Sequence, residues 1–300
     1  MTMPVQQRPF LALGLRLGAA LALSSLYMLV KLVHQYGVSL SEIMFWRQAG
    51  ALPLILIWML ARGQMGQLKT TRLKSHATRS AMGMLGMLAN FGANILLPLA
   101  VATVLGFTTP LFAVVLSALL LKEQIGPWRW LAVALGFAGV LVIARPGAMP
   151  IAPLGALVGL ASGFMVAVIA IQLRDMGRTE TPLSVVFYFS AFGTLAMLPT
   201  LPFTYAHHTP IVWAGILGMG AIGTVAQILI TASVRYGPVS TVVVMDYSSL
   251  IWTTLYGWLI FNQIPPSSTW LGAPLVVAAG LVITWREHVR HRETLRQPIA

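Results

Sequence analysis

The chain has 300 residues, of which 57% are hydrophobic and only 9% charged, whereas a soluble domain carries about 25% charged residues. That deficit excludes an ordinary soluble protein. The formal charge of +12 would suit a nucleic-acid partner, but the basic residues lie in short loops and tails and form no basic face of a folded domain, which excludes that class too.

A bilayer core about 30 Å thick needs roughly 20 apolar residues per helix, and such stretches follow one another almost end to end. Punctuation by Gly, Pro and charge predicts ten spans, at 11–33, 39–61, 77–97, 100–121, 128–144, 153–173, 182–201, 210–233, 238–261 and 269–285. The first carries Ala20-Leu21-Ala22, a loose imitation of a signal-peptide cleavage site after Arg8 and Arg16. It is read as a retained helix, because Arg16 interrupts its apolar core and the segment has a partner later in the chain. The third and fourth spans meet at Pro98 with almost no loop, and Pro110 is expected to kink the fourth.

With ten spans, one side collects Arg8, Arg62, Lys69, Arg72, Lys74, Arg79, Lys122, Arg129, Arg174, Arg178, Arg235, Arg286, Arg290, Arg292 and Arg296, while the other keeps Lys31 and Arg145. The positive-inside rule then puts both termini in the cytoplasm. Arg16 is expected to snorkel inward and Lys31 outward, with Trp128, Trp130, Trp213, Trp270 and Trp285 as interfacial anchors. His207-His208 falls in an outer loop with no third ligand nearby and is read as solvated.

The second half repeats the first. At an offset of 137, Leu17, Gly18, Ala19, Leu23, Ser25 and Met28 fall on Leu154, Gly155, Ala156, Leu160, Ser162 and Met165. The same offset sets Met82, Gly83, Gly86, Ala89 and Asn90 on Met219, Gly220, Gly223, Ala226 and Gln227. Near the repeat ends it drifts to between 139 and 141, pairing Gln124-Ile125 and Pro127 with Gln263-Ile264 and Pro266, and Trp130-Leu131 with Trp270-Leu271. An odd number of spans per repeat turns the halves upside down relative to each other. The expected fold is an all-α membrane protein of ten transmembrane helices in two inverted five-helix repeats, 11–146 and 153–287, followed by a basic cytoplasmic tail at 288–300. Inverted repeats place a site near the midplane, where the halves can rock to open toward either side.

Leu97-Pro98-Leu99-Ala100 leads through Thr103 to Phe107-Thr108-Thr109-Pro110-Leu111-Phe112, then come Lys122-Glu123, Trp128-Arg129-Trp130 and Gly136-Phe137-Ala138-Gly139-Val140. Asp246-Tyr247, Gly257-Trp258, Phe261-Asn262 and Gly280 follow in the second half. These residues resemble the EamA-type branch of the drug/metabolite transporter superfamily over nearly the whole chain. The resemblance implies two five-helix units, transport of a small molecule and residence in a bacterial inner membrane. Around Phe261-Asn262-Gln263-Ile264-Pro265 and Ser268-Thr269 the second half is most similar to S-adenosylmethionine uptake carriers. One departure is that Asn262 or Gln263 stands where relatives often carry an acidic residue at the end of the ninth helix.

Ionisable groups inside a span cost about 2.5–3.5 kcal/mol at the bilayer centre on insertion scales, so each is a functional candidate. Arg47 and Asp246 stand out, with an axial separation of about 8 Å from helix geometry. On the functional reading Arg47 faces a substrate carboxylate and Asp246 an ammonium; on the structural one each charge pairs within the protein, with a helix end or with the other. Asp246-Tyr247 sits opposite Thr108-Thr109 in the repeat, which adds Thr108 and Tyr247 as candidates. Met82, Gly86, Asn90, Asn94 and Pro98 form one stripe of the third helix, matched by Gly223, Gln227 and Thr231. An amide cannot face lipid unsatisfied, so Asn90, Asn94 and Gln227 either line a cavity or bond across helices. Ser24, Ser25 and Tyr27 form a weaker polar face.

The expected function is secondary transport, by alternating access, of a small polar or zwitterionic metabolite such as an amino acid or its derivative, S-adenosylmethionine among them. Coupling to protons through Asp246 and exchange without an ion both fit, and efflux of drugs or other metabolites is the alternative within this class. A membrane-embedded enzyme is disfavoured, since no His-Glu-x-x-His, Gly-x-Ser-x-Gly or phosphate loop occurs and no cofactor motif is present. With no cysteine in the chain, thiolate metal sites and cysteine nucleophiles are also absent. A channel would show a repeated charged ring or filter, and none is seen.

Overall fold

The structure is a computed structural model that describes residues 8–120, 122, 124–144, 152–177, 179–236 and 242–296. Outside these lie Glu123, Arg145-Pro146, Arg178 and the start of the expected ninth span, and the side chains of Arg174, Arg235, Arg290, Arg292 and Arg296 are likewise not described. The described residues form helices and no strand. In chain order these are α1 (Pro9–Gln35), α2 (Leu40–Ala61), α3 (Leu73–Leu96), α4 (Leu99–Gly106), α5 (Thr109–Leu120), α6 (Pro127–Ala144) and α7 (Pro153–Met176). They continue with α8 (Pro182–Met197), α9 (Leu201–Thr204), α10 (Pro210–Tyr236), α11 (Ser249–Phe261) and α12 (Ser267–Arg296).

Proline opens α1, α6, α7, α8 and α10, where its missing N–H belongs to a group with no intrahelical acceptor. Ser39 caps α2 by accepting the Glu42 backbone N–H at 3.2 Å, and Thr181 caps α8 by accepting that of Ser184 at 3.2 Å. Among the described residues, eight segments are long and apolar enough to cross a bilayer, against the ten expected of the whole chain. The opening turns of α3 carry Lys74, His76 and Arg79, and the described part of the ninth expected span divides into a tight turn of helix, Val243–Ser248, and the 13-residue α11.

The fourth span is broken rather than kinked. Helix α4 ends at Gly106 and α5 begins at Thr109, with Pro110 in the first turn of α5, where its ring denies the preceding turn a donor. Asn262 is a left-handed cap: at φ 51° it ends α11, and the Gln263 N–H returns to the Gly257 carbonyl at 2.8 Å. Asn tolerates this conformation better than most residues do. Lys122, just past the end of the fourth span, has φ 53°. Helix α12 runs on to Arg296, so most of the expected tail is helical.

Packing follows the repeat. Helix α1 lies on α10 as α7 lies on α3, α2 touches α10 as α8 touches α3, and α11 meets α1 as α5 meets α7. The pairs α2 with α8 and α6 with α12 map onto themselves when the halves are exchanged. This is the two-fold relation that inverted repeats require. Leu26, Val30, Ile43, Met84, Phe91, Ile216 and Met219 form one core among α1, α2, α3 and α10; Leu97, Val101, Leu105, Ile143 and Val276 form another. Ile57, Leu60, Leu141, Phe203, Ile211 and Leu271 face outward, as a lipid-facing surface demands.

Backbones come closest where α6 crosses α12. A Cβ on Gly272 would stand 2.5 Å from the Gly139 carbonyl oxygen and would also collide with Ile143. Because one obstacle is backbone, the helices themselves would have to part. Gly272→Ala is therefore expected to destabilise the protein by about 1–3 kcal/mol, read as a lower melting temperature of the detergent-purified protein, and an unchanged melting temperature would contradict this contact.

Candidate functional site

A cavity of about 770 Å³ lies between α2, α3, α8 and α10, at the boundary of the two repeats. It extends from Arg47, in the middle of α2, to Arg62, Gln64 and Tyr236 at the end where the basic loops gather. Leu54, Trp58, Val186 and Phe189 supply apolar wall, while Ser190, Thr224, Gln227 and Thr231 supply polar groups. A smaller cleft of about 380 Å³ beside Trp128, Arg129 and Arg286 is on the surface near the ends of α6 and α12, away from the repeat boundary.

Arg47 is positioned by its sequence neighbour. Its Nη1 donates to Gln48 Oε1 at 2.7 Å, and Gln48 Nε2 donates to the Phe189 carbonyl on α8 at 3.2 Å, so a fully buried amide ties α2 to α8. The chamber for that amide is Gly193, where a Cβ would stand 2.6 Å from Gln48 Nε2. Opposite, the Arg79 guanidinium lies over the Phe189 ring at 4.5 Å. Gly83 makes room for it, since a Cβ there would collide with Arg79 Nη1 and stand 2.6 Å from the Phe189 ring. Arg47 Nε, Arg79 Nε and Arg79 Nη1 are buried with no hydrogen-bond partner.

Of the residues singled out from sequence, Arg47 and Gln227 line this cavity. Asn90 and Asn94 form a neighbouring cluster. Asn90 Nδ2 donates to Ser162 Oγ on α7 at 3.1 Å, and Asn94 Nδ2 donates to the Asn90 carbonyl at 2.8 Å. Tyr27 lies close to Asn90 and within electrostatic reach of both Arg47 and Asp246. Asp246 is not brought into the cavity with Arg47. It accepts two hydrogen bonds from Arg16, from Nε and from Nη2, each at 2.6 Å, which ties α1 to the turn before α11. Thr108 is fully buried; its hydroxyl donates to the Leu105 carbonyl at 2.5 Å and packs over Gly163. Tyr247 packs edge-on to Phe107 and covers Gly280 on α12. Thr108 and Tyr247 are thus held in helix contacts.

Three expectations for other side chains change. Arg16 does not snorkel but pairs with Asp246. Lys31 is 4% exposed and donates to the Leu97 carbonyl at 2.5 Å, where α3 ends and leaves an acceptor free. His208 is not solvated: its Nε2 lies 2.9 Å from Glu42 Oε1, with both side chains almost wholly buried. The Trp46 indole N–H also points at Glu42 Oε1 (3.3 Å), and Trp46 packs edge-on to Trp213 near the start of α10.

A second such pair lies at the opposite end of the molecule, outside the cavity lining. His76 Nε2 lies 3.0 Å from Glu180 Oε2, and Glu180 also accepts from Thr70 Oγ1 at 2.9 Å and Ser184 Oγ at 3.4 Å. Beside it Arg72 bonds Asp175 at 2.5 Å and Thr179 at 3.0 Å. In each pair a carboxylate near the start of the second helix of one repeat meets a histidine near the start of the third helix of the other.

Sequence reasoning missed Gln48, Arg79, Phe189 and the Glu42–His208 and His76–Glu180 pairs. Gln48 carried the same signal as Asn90, an amide within an apolar span. Arg79 was counted with the orientation charges because it stands at a span end, and only packing turns it inward.

The EamA-like transporter family profile matches residues 10–145 and 153–285, which is nearly all of the sequence. This chain belongs to the EamA-like transporter family. A riboflavin transporter of Vibrio cholerae is 28% identical over 262 residues, covering 86% of this chain and 88% of that one. A pseudopaline exporter of Pseudomonas aeruginosa is 28% identical over 81% of this chain and 86% of its own. An S-adenosylmethionine uptake transporter of Rickettsia bellii is 25% identical over 82% and 83%. One solved crystal structure superposes with a TM-score of 0.61 at 21% identity, covering 92% of this chain and 96% of that chain, and it shares the fold. The protein is a multi-pass membrane transporter of a small metabolite.

In this EamA-like transporter, burial pushes the Glu180 carboxyl up, but hydrogen bonds from His76, Thr70 and Ser184 outweigh it and hold the group below the usual carboxylate range. A carboxyl whose folded value lies below its unfolded one stabilises the fold above the unfolded value and loses that as pH falls through the folded one. Glu180→Gln is thus expected to lower the melting temperature by a few degrees at neutral pH, a deficit that shrinks below about pH 4.5. A deficit that persists unchanged into strong acid would contradict it.

Proposed function

We propose that this protein is a secondary carrier that moves a small polar metabolite across the cytoplasmic membrane by alternating access, with its cargo bound in the cavity between the repeats and anchored by Arg47. The observation that carries this reading is a largely apolar chamber with a few inward polar groups, among them Arg47, Arg79, Gln227 and Thr231, bounded by α2 and α3 from one repeat and α8 and α10 from the other. Its outer end is closed by Glu42, His208, Trp46 and Trp213, so the conformation faces the basic, cytoplasmic side where both termini lie. Charge placement supports that orientation and an inner-membrane location. The relatives' cargoes differ, so their names support metabolite transport as a class.

A zwitterionic cargo, an amino-acid derivative such as S-adenosylmethionine, is the second reading. It is favoured by Tyr27, which lies within reach of Arg47 and Asp246 at once. For Asp246 to meet a cargo ammonium, or a coupling proton, it must release Arg16. An enzyme reading has no nucleophile and base in this cavity to support it.

The chain has no cysteine, which makes single-cysteine labelling direct. Thr231→Cys, on the cavity wall, is expected to react with a membrane-impermeant thiol reagent from the cytoplasmic side and to be protected by saturating cargo. In proteoliposomes the wild type is expected to show counterflow of labelled cargo without chemical conversion, and Arg47→Gln to reduce it about tenfold or more. Equal labelling from both sides at all times, or conversion of the compound, would sink the carrier.

A further inference from the structure

Among the charged groups deep in the described structure, most meet an opposite charge or a carbonyl: Arg16 meets Asp246, Lys31 meets Leu97, Glu42 meets His208 and Glu180 meets His76. Arg47 and Arg79 do not. They come from different helices onto the same cavity, their positive charges act on each other, and no Asp or Glu lines the chamber with them. Each is held by neutral groups, Arg47 by the Gln48 amide and Arg79 by the Phe189 ring, so each is oriented without being neutralised.

From this we propose that the cavity recognises an organic anion, a metabolite bearing a carboxylate or phosphate group held between the guanidinium groups of Arg47 and Arg79. The inference rests on the carrier reading and adds the cargo's charge to it. A guanidinium presents parallel N–H donors that match the oxygens of a carboxylate or phosphate, and in low dielectric such charge-assisted bonds are roughly twice as strong as neutral ones. Burying two like charges on one cavity is costly for folding alone, and a bound anion offsets that repulsion. The remaining wall sets the rest of the cargo. Leu54, Trp58, Val186 and Ile228 accept an apolar or aromatic body, and Gln227 and Thr231 offer bonds to its polar edge. A cation of similar size meets three guanidinium groups, those of Arg47 and Arg79 and, at the mouth, Arg62, and no carboxylate.

The same phosphate chemistry could arrive on a lipid headgroup, so the test separates the sources. The purified full-length protein in uncharged detergent is heated with succinate, adenosine monophosphate or inorganic phosphate at matched ionic strength, with adenosine and choline as neutral and cationic controls. Phosphatidylglycerol in mixed micelles forms a separate arm. At least one soluble organic anion at millimolar concentration is expected to raise the melting temperature while adenosine and choline do not, and added salt is expected to weaken the effect. Arg47→Gln and Arg79→Gln should each weaken the apparent affinity about tenfold or more, with Arg79→Lys falling between them and the wild type. The inference is overturned if no organic anion stabilises the protein, if adenosine or choline stabilises it as well, if only phosphatidylglycerol does, or if folded Arg79→Lys and both Gln variants respond like the wild type. Counterflow of a neutral or cationic cargo that survives Arg47→Gln and Arg79→Gln would also overturn it while leaving the carrier intact. Anion stabilisation without counterflow of any compound would instead remove the carrier and keep the anion site.

Discussion

A charge placed inside a bilayer must find its complement inside the protein, and this constraint arranges the molecule. An unpaired arginine or aspartate at the centre of a span costs about 2.5–3.5 kcal/mol on insertion scales. A bidentate guanidinium–carboxylate pair such as the part-buried Arg16–Asp246 offsets some of that cost. Each such pair therefore fixes the positions of two helices as firmly as an apolar contact does. Lys31 obeys the same rule with a different acceptor, using the carbonyl that the end of α3 leaves unpaired beside Pro98.

The ionic contacts of the fold join one repeat to the other. Arg16 reaches from α1 to Asp246, Glu42 from α2 to His208, and His76 from α3 to Glu180. Apolar packing between helices in lipid has little hydrophobic drive, because lipid tails are as apolar as leucine. Specific polar contacts and close backbone approaches must then select how the halves meet. The two histidine–carboxylate pairs occupy corresponding places at opposite ends, one beside the α8 start and one beside the α10 start. Duplication and inversion of one unit would place a carboxylate and a histidine in this way without further invention.

Much of this architecture was legible in the residues, and the exceptions have a common cause. Span positions follow from runs of apolar residues, and the ordered matches of Gly86 with Gly223 and Asn90 with Gln227 reveal the duplication because glycine and amides are rare enough in such runs to be informative. Sequence also marks which groups are costly in lipid, hence Arg47, Asp246 and Asn90. It does not say which partner each cost is settled with. Asp246 had two candidates in plain view, Arg47 in a span and Arg16 near a span end, and only the crossing of α1 over α11 selects Arg16. His208 beside His207 reads as loop, and its burial depends on Glu42, distant in sequence. Asn262 looked like a lost carboxylate when it is a left-handed helix end, a backbone requirement that no side-chain pattern expresses.

The contrast between Arg16 and Arg47 separates scaffold from site. Both are guanidinium groups on spans of the first repeat and both are held in a fixed orientation. Arg16 is held by a carboxylate, so its charge is consumed and the pair acts as a clamp between helices. Arg47 is held by the Gln48 amide, which accepts a hydrogen bond without supplying negative charge and passes the restraint to the Phe189 carbonyl. Orientation without neutralisation is what a binding group requires, because electrostatic attraction to a ligand is weakened by a resident counter-ion that must first be displaced. Glycines at positions 83 and 193 give Arg79 and Gln48 room that a larger side chain would take. A cavity that serves only packing would close over apolar residues there; this one keeps two charged donors bare.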